Sequence, residues 1–398
     1  MTTEKYSDTS MDAQFVRRYQ KGSRLMYDGG ITPLLSQLRK RFDLTGDDFR
    51  ELAELSMGWG VGTGSLPEAS VKKIAQVIIS EADVYARAKI ERKAIYKAKL
   101  GGAFLDSMAD SVESTVRAFS WNVERQLMGD QTGALGTIDS GGVSGSGPYT
   151  CTISAATWKR ANFENGILVN VGTDSTLFKV TDVDPANTAV ELTVASGNYT
   201  PQAADVIYMQ GSKDNDLIGI KKVGDATSGT LYGVTVQDRW QAVQKDAGSA
   251  TISTELLDEQ ALDQLDYIGK GPSLWLSSTT QWRKLAATIE GDKRYVDLKV
   301  KDSLKGVLGF KGIEYVGPTG EAPFVTSRFC EKDRCYGLIL EDCELRHMPG
   351  GGWFTDDLGG NKVWLRENES DSYEARYGYY MQSVFWPASI IRIKTLAT

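Results

Sequence analysis

The sequence predicts an α+β fold in which a long helix, a small all-β unit and a mixed helix–strand unit follow one another along the chain. Three observations predict it. Phe104, Met108, Val112, Val116, Phe119, Val123 and Leu127 recur at steps of three or four residues, which places them on one face of a helix. Across residues 148–211 the pattern switches to short segments, GILVNVG, LFKVTDVD, AVELTVAS and DVIYMQ, separated by turn text such as DVDPANTA; this is the signature of a small antiparallel module. From Ile218 onward, helical and strand periodicities alternate. A chain of 398 residues is too long for one ordinary core, so two or three compact units are expected.

Taken in order, residues 1–58 are charged and only intermittently apolar, like an arm that rests on something else. ITPLLSQLRKRF reads as a short helix with Leu34, Leu35 and Leu38 on one side, and DDFRELAELSM as another, with Phe49, Leu52 and Leu55 three apart. Residues 59–100 open on the glycine-rich GWGVGTGS and continue with two candidate strands, KKIAQVIIS and YARAKIERKAIYKAK. Within 71–100, eight basic residues, among them Arg87, Lys89, Arg92 and Lys93, face three acidic ones. This reads either as a basic flap that reaches an acidic partner surface or as a solvated hairpin. Residues 101–147 hold the amphipathic helix, a beam roughly 40 Å long, with Gly101 and Gly102 at its start. It stops in WNVERQLMGDQTGALG, where Gly129 suits a left-handed cap and Gly129, Gly133 and Gly136 read as a hinge.

Beyond the 148–211 module, residues 218–346 read as a mixed domain. STELLDEQALDQLDYIG is a helix opened by Ser253, Thr254 and Glu255, SLWLSS is a buried strand running into a helix at STTQWRKLAATI, and FKGIEYVG and CYGLILE are further strands. Residues 347–385 are strand-rich and aromatic. Tyr377, Tyr379, Met381 and Phe385 share one parity of a long strand, which points to packing, while Pro387 implies a bulge or an edge. Residues 386–398 supply a final strand.

Catalysis and tight nucleic-acid binding find little support. The net charge of −7 argues against a protein whose main task is gripping phosphates. His347 is the sole histidine, so any Ser-His or Cys-His mechanism has to run through it, and its context, DCELRHMPGGGW, reads as a surface or strand-end residue. Four cysteines, Cys151, Cys330, Cys335 and Cys343, lack C-x-x-C spacing and read as reduced thiols. No phosphate-binding glycine motif is present. No stretch is apolar enough to span a bilayer, and the polar start lacks a secretory signal, so synthesis in the cytosol is expected. No cofactor and no metal are expected.

The order of parts, together with residues 122–136 (Arg125, Gln126, Leu127, Gly129, Asp130 and Gly133) and the closing Trp386-Pro387-Ala388 with Ile390 and Ile391, resembles the major capsid proteins of tailed bacteriophages, the Hong Kong 97-type fold. The resemblance spans nearly the whole chain. It implies an N-terminal arm at 1–58 and an extended loop at 59–100 that crosses a neighbouring subunit through Arg87, Lys89, Arg92 and Lys93. It further implies a peripheral domain with its spine helix and hinge at 101–147 and return strands at 347–385, and an axial domain at 218–346 joined by the final strand 386–398. The 148–211 module is an insertion that the simplest members lack. The function so implied is self-assembly into the pentamers and hexamers of an icosahedral head, made in the host bacterial cytoplasm and enclosing double-stranded DNA without sequence specificity. The partners implied are further copies of the chain, a portal protein and a separate scaffolding protein, since no long helical segment precedes the arm; a decoration protein is admitted. No catalytic residue is carried over. The alternative is an encapsulin-type cellular shell, which shares the fold and holds enzyme cargo.

Overall fold

The computed structural model describes residues 32–44, 46, 48–56, 72–91, 105–173, 175–291, 313–355, 364–366 and 370–398. The chain forms two compact units. The first is built from Tyr85–Leu217 and Trp353–Tyr377, the second from Tyr27–Val84, Ile218–Gly352 and Gly378–Thr398.

The second unit opens with helix α1 (Pro33–Gln37), whose Pro33 sets the first turn and whose Leu34 and Leu35 are buried. Strand β1 (Arg39–Arg41) follows. DDFRELAELSM, expected to be helical, is instead strand β2 (Asp48–Ser56), paired antiparallel with β3 (Lys73–Ser80). Three-residue apolar spacing suits a helix, but Phe49, Glu51, Ala53 and Leu55 also alternate. The β-branched text KIAQVIIS supplies a partner whose pairing overrides local preference. Strand β4 (Ala82–Glu91) does not pair with β3 as a flap would; it joins a different sheet.

In the first unit, helix α2 (Leu105–Leu127) realises the periodic stripe, with Val116, Phe119, Val123 and Leu127 all fully buried. Phe119 meets Tyr377 edge to face, ring centroids 5.1 Å apart. A closed six-stranded barrel follows: β5 (Ala134–Ser144), β6 (Tyr149–Ile153), β7 (Leu168–Val171), β8 (Leu177–Asp184), β9 (Ala189–Ser196) and β10 (Val206–Met209), in the order β10-β5-β6-β9-β8-β7. Closure removes both sheet edges and encloses a core that includes Leu135, Phe178, Val180, Leu192 and Ile207. The module therefore begins at Ala134 and not at residue 148; the text of β5, ALGTIDSGGVS, alternates weakly and carries three glycines, so by itself it reads as hinge.

The rest of the second unit is a mixed sheet flanked by helices. Its elements are α3 (Ile220–Asp225), the short pair β11 (Thr230–Leu231) and β12 (Val234–Thr235), β13 (Val243–Asp246), α4 (Thr254–Ile268), β14 (Leu274–Ser277), α5 (Thr279–Gly291), β15 (Ile313–Gly317), β16 (Gly320–Thr326), β17 (Cys335–Leu338) and β18 (Cys343–His347). Ser253 caps α4 by accepting from the Leu256 amide at 3.2 Å, and Gly269, at φ +76°, ends it in the left-handed conformation. Four further strands close the chain: β19 (Gly352–Trp353), β20 (Trp364–Arg366), β21 (Ser372–Phe385) and β22 (Ile390–Lys394).

The main sheet runs β13-β22-β17-β14-β16-β15, so the final strand lies inside it. Trp275, Phe324, Ile391 and Ile393 fill the layer between this sheet and α4 and α5. Tyr377, Tyr379, Met381 and Phe385 are all buried along β21. Pro387 makes neither a bulge nor an edge; it starts a single 3₁₀ turn between β21 and β22.

Candidate assembly surface

The β2–β3 pair is a two-stranded ribbon with two unlike faces. Ala53, Leu55, Val77 and Ile79 are buried on one. Leu52 is 70% exposed and Ile74 52% exposed on the other, beside Arg50, Glu54 and Gln76. Its two strands carry three acidic and two basic side chains; most of the basic residues expected in this region fall beyond β3. The ribbon is tied down along its length, from its root at Asp48 and Ser80 to Lys73 at the other end. The Ile78 amide donates to the Tyr232 carbonyl at 2.9 Å, Lys73 Nζ to Gln237 Oε1 at 2.6 Å, and Gln382 Nε2 to the Ser80 carbonyl at 2.9 Å.

A cleft of about 710 Å³ opens beside that root, lined by Arg39, Arg41, Glu51, Glu344, Arg346 and Trp386 among others. It follows from the register of a parallel pair: β1 lies against β18 with Arg39 opposite Glu344 and Arg41 opposite Arg346. Arg346 is fully buried. Its guanidinium reaches Glu51 at 2.7 Å, Glu344 at 3.0 Å and Asp43 at 3.8 Å, and lies 4.4 Å from the centre of the Phe49 ring. Arg41 pairs with Glu344 at 2.7 Å. An arginine with several carboxylate partners on β2, β18 and the β1–β2 link ties these elements together.

Of the residues expected to form a contact strip, Arg87 and Lys89 lie two apart on β4. Arg87 is an exposed side chain on β4, 3.3 Å from Glu374, which Arg376 also grips. Lys89 is half-buried on the same strand. Arg92, Lys93 and Phe104 lie outside the described residues; Met108 and Val112 fall within α2.

Around the expected hinge, buried contacts link the segments that enter and leave the barrel. Arg125, near the end of α2, is buried and pairs with Asp216 at 2.8 Å, also donating to Asn122 and to Ser212 Oγ. Gln126 Oε1 accepts from the Leu217 amide at 3.2 Å, and the Asp214 amide donates to the Thr132 carbonyl at 3.2 Å. Entry to and exit from the barrel therefore lie side by side. Gly129 does not take the left-handed cap expected of it; its amide closes a tight turn on the Gln126 carbonyl, and Gln131, at φ +72°, adopts positive φ instead. Gly133 is required: φ is +74°, and a Cβ would sit 2.3 Å from the Ser212 carbonyl oxygen. Gly136 lies within β5, where a Cβ would meet Ile153 at 2.7 Å.

Residues that sequence reasoning passed over carry much of this surface. Glu51, Ile74 and Arg346 had no motif to mark them, and Leu52 was read on a helix face; the alternation of β2 was the available signal. His347 ends a strand as expected but is buried and not at the surface, and burial, aided by nearby Lys40, lowers its pKa below the usual 6.5. Burial likewise pushes the Lys40 amine down to about 8 and the Cys151 thiol up to about 12. All four cysteines are buried free thiols. Among the described residues, no group of three or more His, Cys, Asp or Glu side chains is placed to hold a metal ion, and no helix is long and apolar enough to cross a membrane.

No family model and no curated relative matches the chain. Among solved structures, the capsid asymmetric unit of cyanophage A-1(L) overlaps 92% of this chain and 93% of its own at 12% identity, with a TM-score of 0.56. The holo-SrpI encapsulin complex of Synechococcus elongatus PCC 7942 (92% of this chain and 89% of that one, 9% identity, TM-score 0.48) and the capsid of Myoviridae phage XM1 (92% of each, 10% identity, TM-score 0.43) overlap more loosely. An exposed ribbon before a long buried-stripe helix, a mixed sheet that the final strand completes, and the nearly whole-length overlap with the cyanophage subunit give one conclusion: the chain has the Hong Kong 97-type capsid fold.

Proposed function

We propose that the protein is the major capsid protein of a tailed bacteriophage, a structural subunit whose copies assemble as pentamers and hexamers into an icosahedral head around double-stranded DNA. The overlap with the cyanophage A-1(L) capsid subunit across both chains carries this reading. In it, the β2–β3 ribbon is the extended loop. A two-stranded ribbon is marginal by itself, and one that exposes Leu52 and Ile74 on its outward face gains by laying that face on another copy. Helix α2 is the spine of the peripheral domain, the β13–β22 sheet with α4 and α5 is the axial domain, and the barrel is an inserted module. Basic residues near β4, Arg87, Lys89, Arg92 and Lys93, add inter-subunit contacts. A scaffolding protein and a portal are the partners this role calls for. Negative-stain electron microscopy of the purified protein, expressed with and without the scaffold from the same source, tests the reading: closed shells of uniform size support it, and a protein that stays monomeric under both conditions refutes it.

A further inference from the structure

Two consecutive residues of β18 grip the root of the ribbon from opposite faces of their strand. On one face Arg346 reaches Glu51 of β2 and Asp43 of the β1–β2 link. On the other, His347 packs edge-on against Phe42 of the same link, ring centroids 3.9 Å apart, and against Tyr379 of β21 at 5.5 Å. The imidazole is 1% exposed, and its ring nitrogens make no well-formed hydrogen bond among the described residues beyond a weak polar contact with the Met348 backbone. Phe42, by contrast, is 64% exposed, so it forms an outer cover over the ring. The next residues, Asp43 and buried Leu44, lead into β2. The β1–β2 link at the root of the ribbon thus rests on a buried imidazole covered by an exposed ring, beside the ion pair of Arg346 with Glu51.

We propose that His347 is a pH-sensitive clamp at the root of the ribbon: neutral, it seats Phe42 and fixes the β1–β2 link; protonated, it expels Phe42 and loosens that link and the adjoining end of β2–β3, while the ties of β3 to Tyr232 and Gln237 hold. The charges around it favour this behaviour. Lys40 of β1 brings a like charge to the ring. Asp43 is the nearby opposite charge, and it faces Arg346. Tyr379 and Met381 of β21 offer no carboxylate. On the far face of β18, Glu344 and Glu51 are engaged by Arg41 and Arg346. The Met348 backbone and Asp43 favour a proton on His347, but burial and Lys40 outweigh them, so the buried cation is disfavoured and exposure to water relieves it. The sign follows from linkage. The clamped state holds the imidazole below its usual value, so clamping is favoured above about pH 6.5 and lost as the pH falls, by up to about tenfold per pH unit for one proton.

Because the chain has one histidine, the ring gives a single imidazole signal in a histidine-labelled NMR spectrum. The full-length, unassembled chain is titrated from pH 8 to 5 while amide hydrogen exchange is followed in β2–β3, with the barrel as internal reference. The expected result is a His347 titration below 6.5 accompanied by about tenfold faster exchange at the end of the ribbon next to the link, after correction for intrinsic rates, with the barrel unchanged. Phe42→Ala should raise the His347 titration toward 6.5 and leave that end fast-exchanging at pH 8, and His347→Gln should abolish the step. A His347 titration without a change in ribbon exchange, or a step that persists in His347→Gln, overturns the proposal. If His347→Gln does not fold, the unmodified chain and Phe42→Ala decide it. The clamp belongs to the subunit alone and holds whatever surface the ribbon covers.

Discussion

At the scale of the residue, the joint between helix and barrel depends on a buried ion pair. Arg125 and Asp216 are both almost wholly enclosed. Truncating one partner strands the other charge, so Asp216→Ala should cost about 3 kcal/mol or more in urea unfolding. The double substitution Arg125→Met, Asp216→Leu should cost much less, because no charge is then left uncompensated. Equal losses in the two variants would mean that shape, and not charge, holds the joint. Gly133 limits the same joint through backbone geometry. Ala there meets both the Ser212 carbonyl and a positive φ, so Gly133→Ala should destabilise the chain by about 1–3 kcal/mol.

At the scale of the element, the barrel is the clearest separable piece. Its edges are closed, it has its own core, and its entry and exit are hydrogen-bonded to each other. Replacing residues 134–210 with a short Gly-Ser linker should leave α2 and the main sheet folded, with circular dichroism showing lost strand and retained helix. The excised barrel should itself unfold cooperatively. Insoluble remainder and unstructured barrel together would show that the module is a structural part of its unit. The boundary matters: cutting at residue 148 would remove five strands and leave β5 with its apolar face, Leu135 and Ile138, uncovered.

At the scale of the whole molecule, the proposed role makes the outward face of the ribbon an interface. Leu52→Glu with Ile74→Glu places charges where 70% and 52% exposure leave room for them, so the monomer should keep its stability within about 0.5 kcal/mol. Shell assembly, measured by light scattering and electron microscopy, should fall sharply. Normal assembly would show that this face stays in water. Reversing Arg87, Lys89, Arg92 and Lys93 to Glu should also weaken assembly, and raised salt should reproduce part of that defect in the unmodified chain. Exposed ion pairs are worth only about 0–1 kcal/mol each, so the effect depends on repetition at every subunit. Arg87 is the exception within the set: it already serves Glu374 in its own unit, so its reversal should also loosen β4.

What the sequence alone determined was whatever depends on neighbours along the chain. The α2 stripe, the Ser253 cap and Gly269 stop of α4, the four strands β7 to β10 and the buried parity of β21 were all legible. Helix periodicity, capping and tight turns are set within a few residues. The order of parts and the texts around residues 122–136 and 386–391 carried the resemblance to the capsid fold, which the whole-length overlap bears out. Tertiary structure decided everything that required a distant partner. Asp48–Ser56 became a strand because Lys73–Ser80 pairs with it, and weakly patterned β5 became a barrel strand because β6 and β10 flank it. Arg346, mid-sentence in an unremarkable DCELRH, became the centre of a charged cluster because a parallel pairing brings β1 beside β18 and the ribbon root lies over it. Strand pairing joins residues hundreds of positions apart, and no local period records which partner each strand will find.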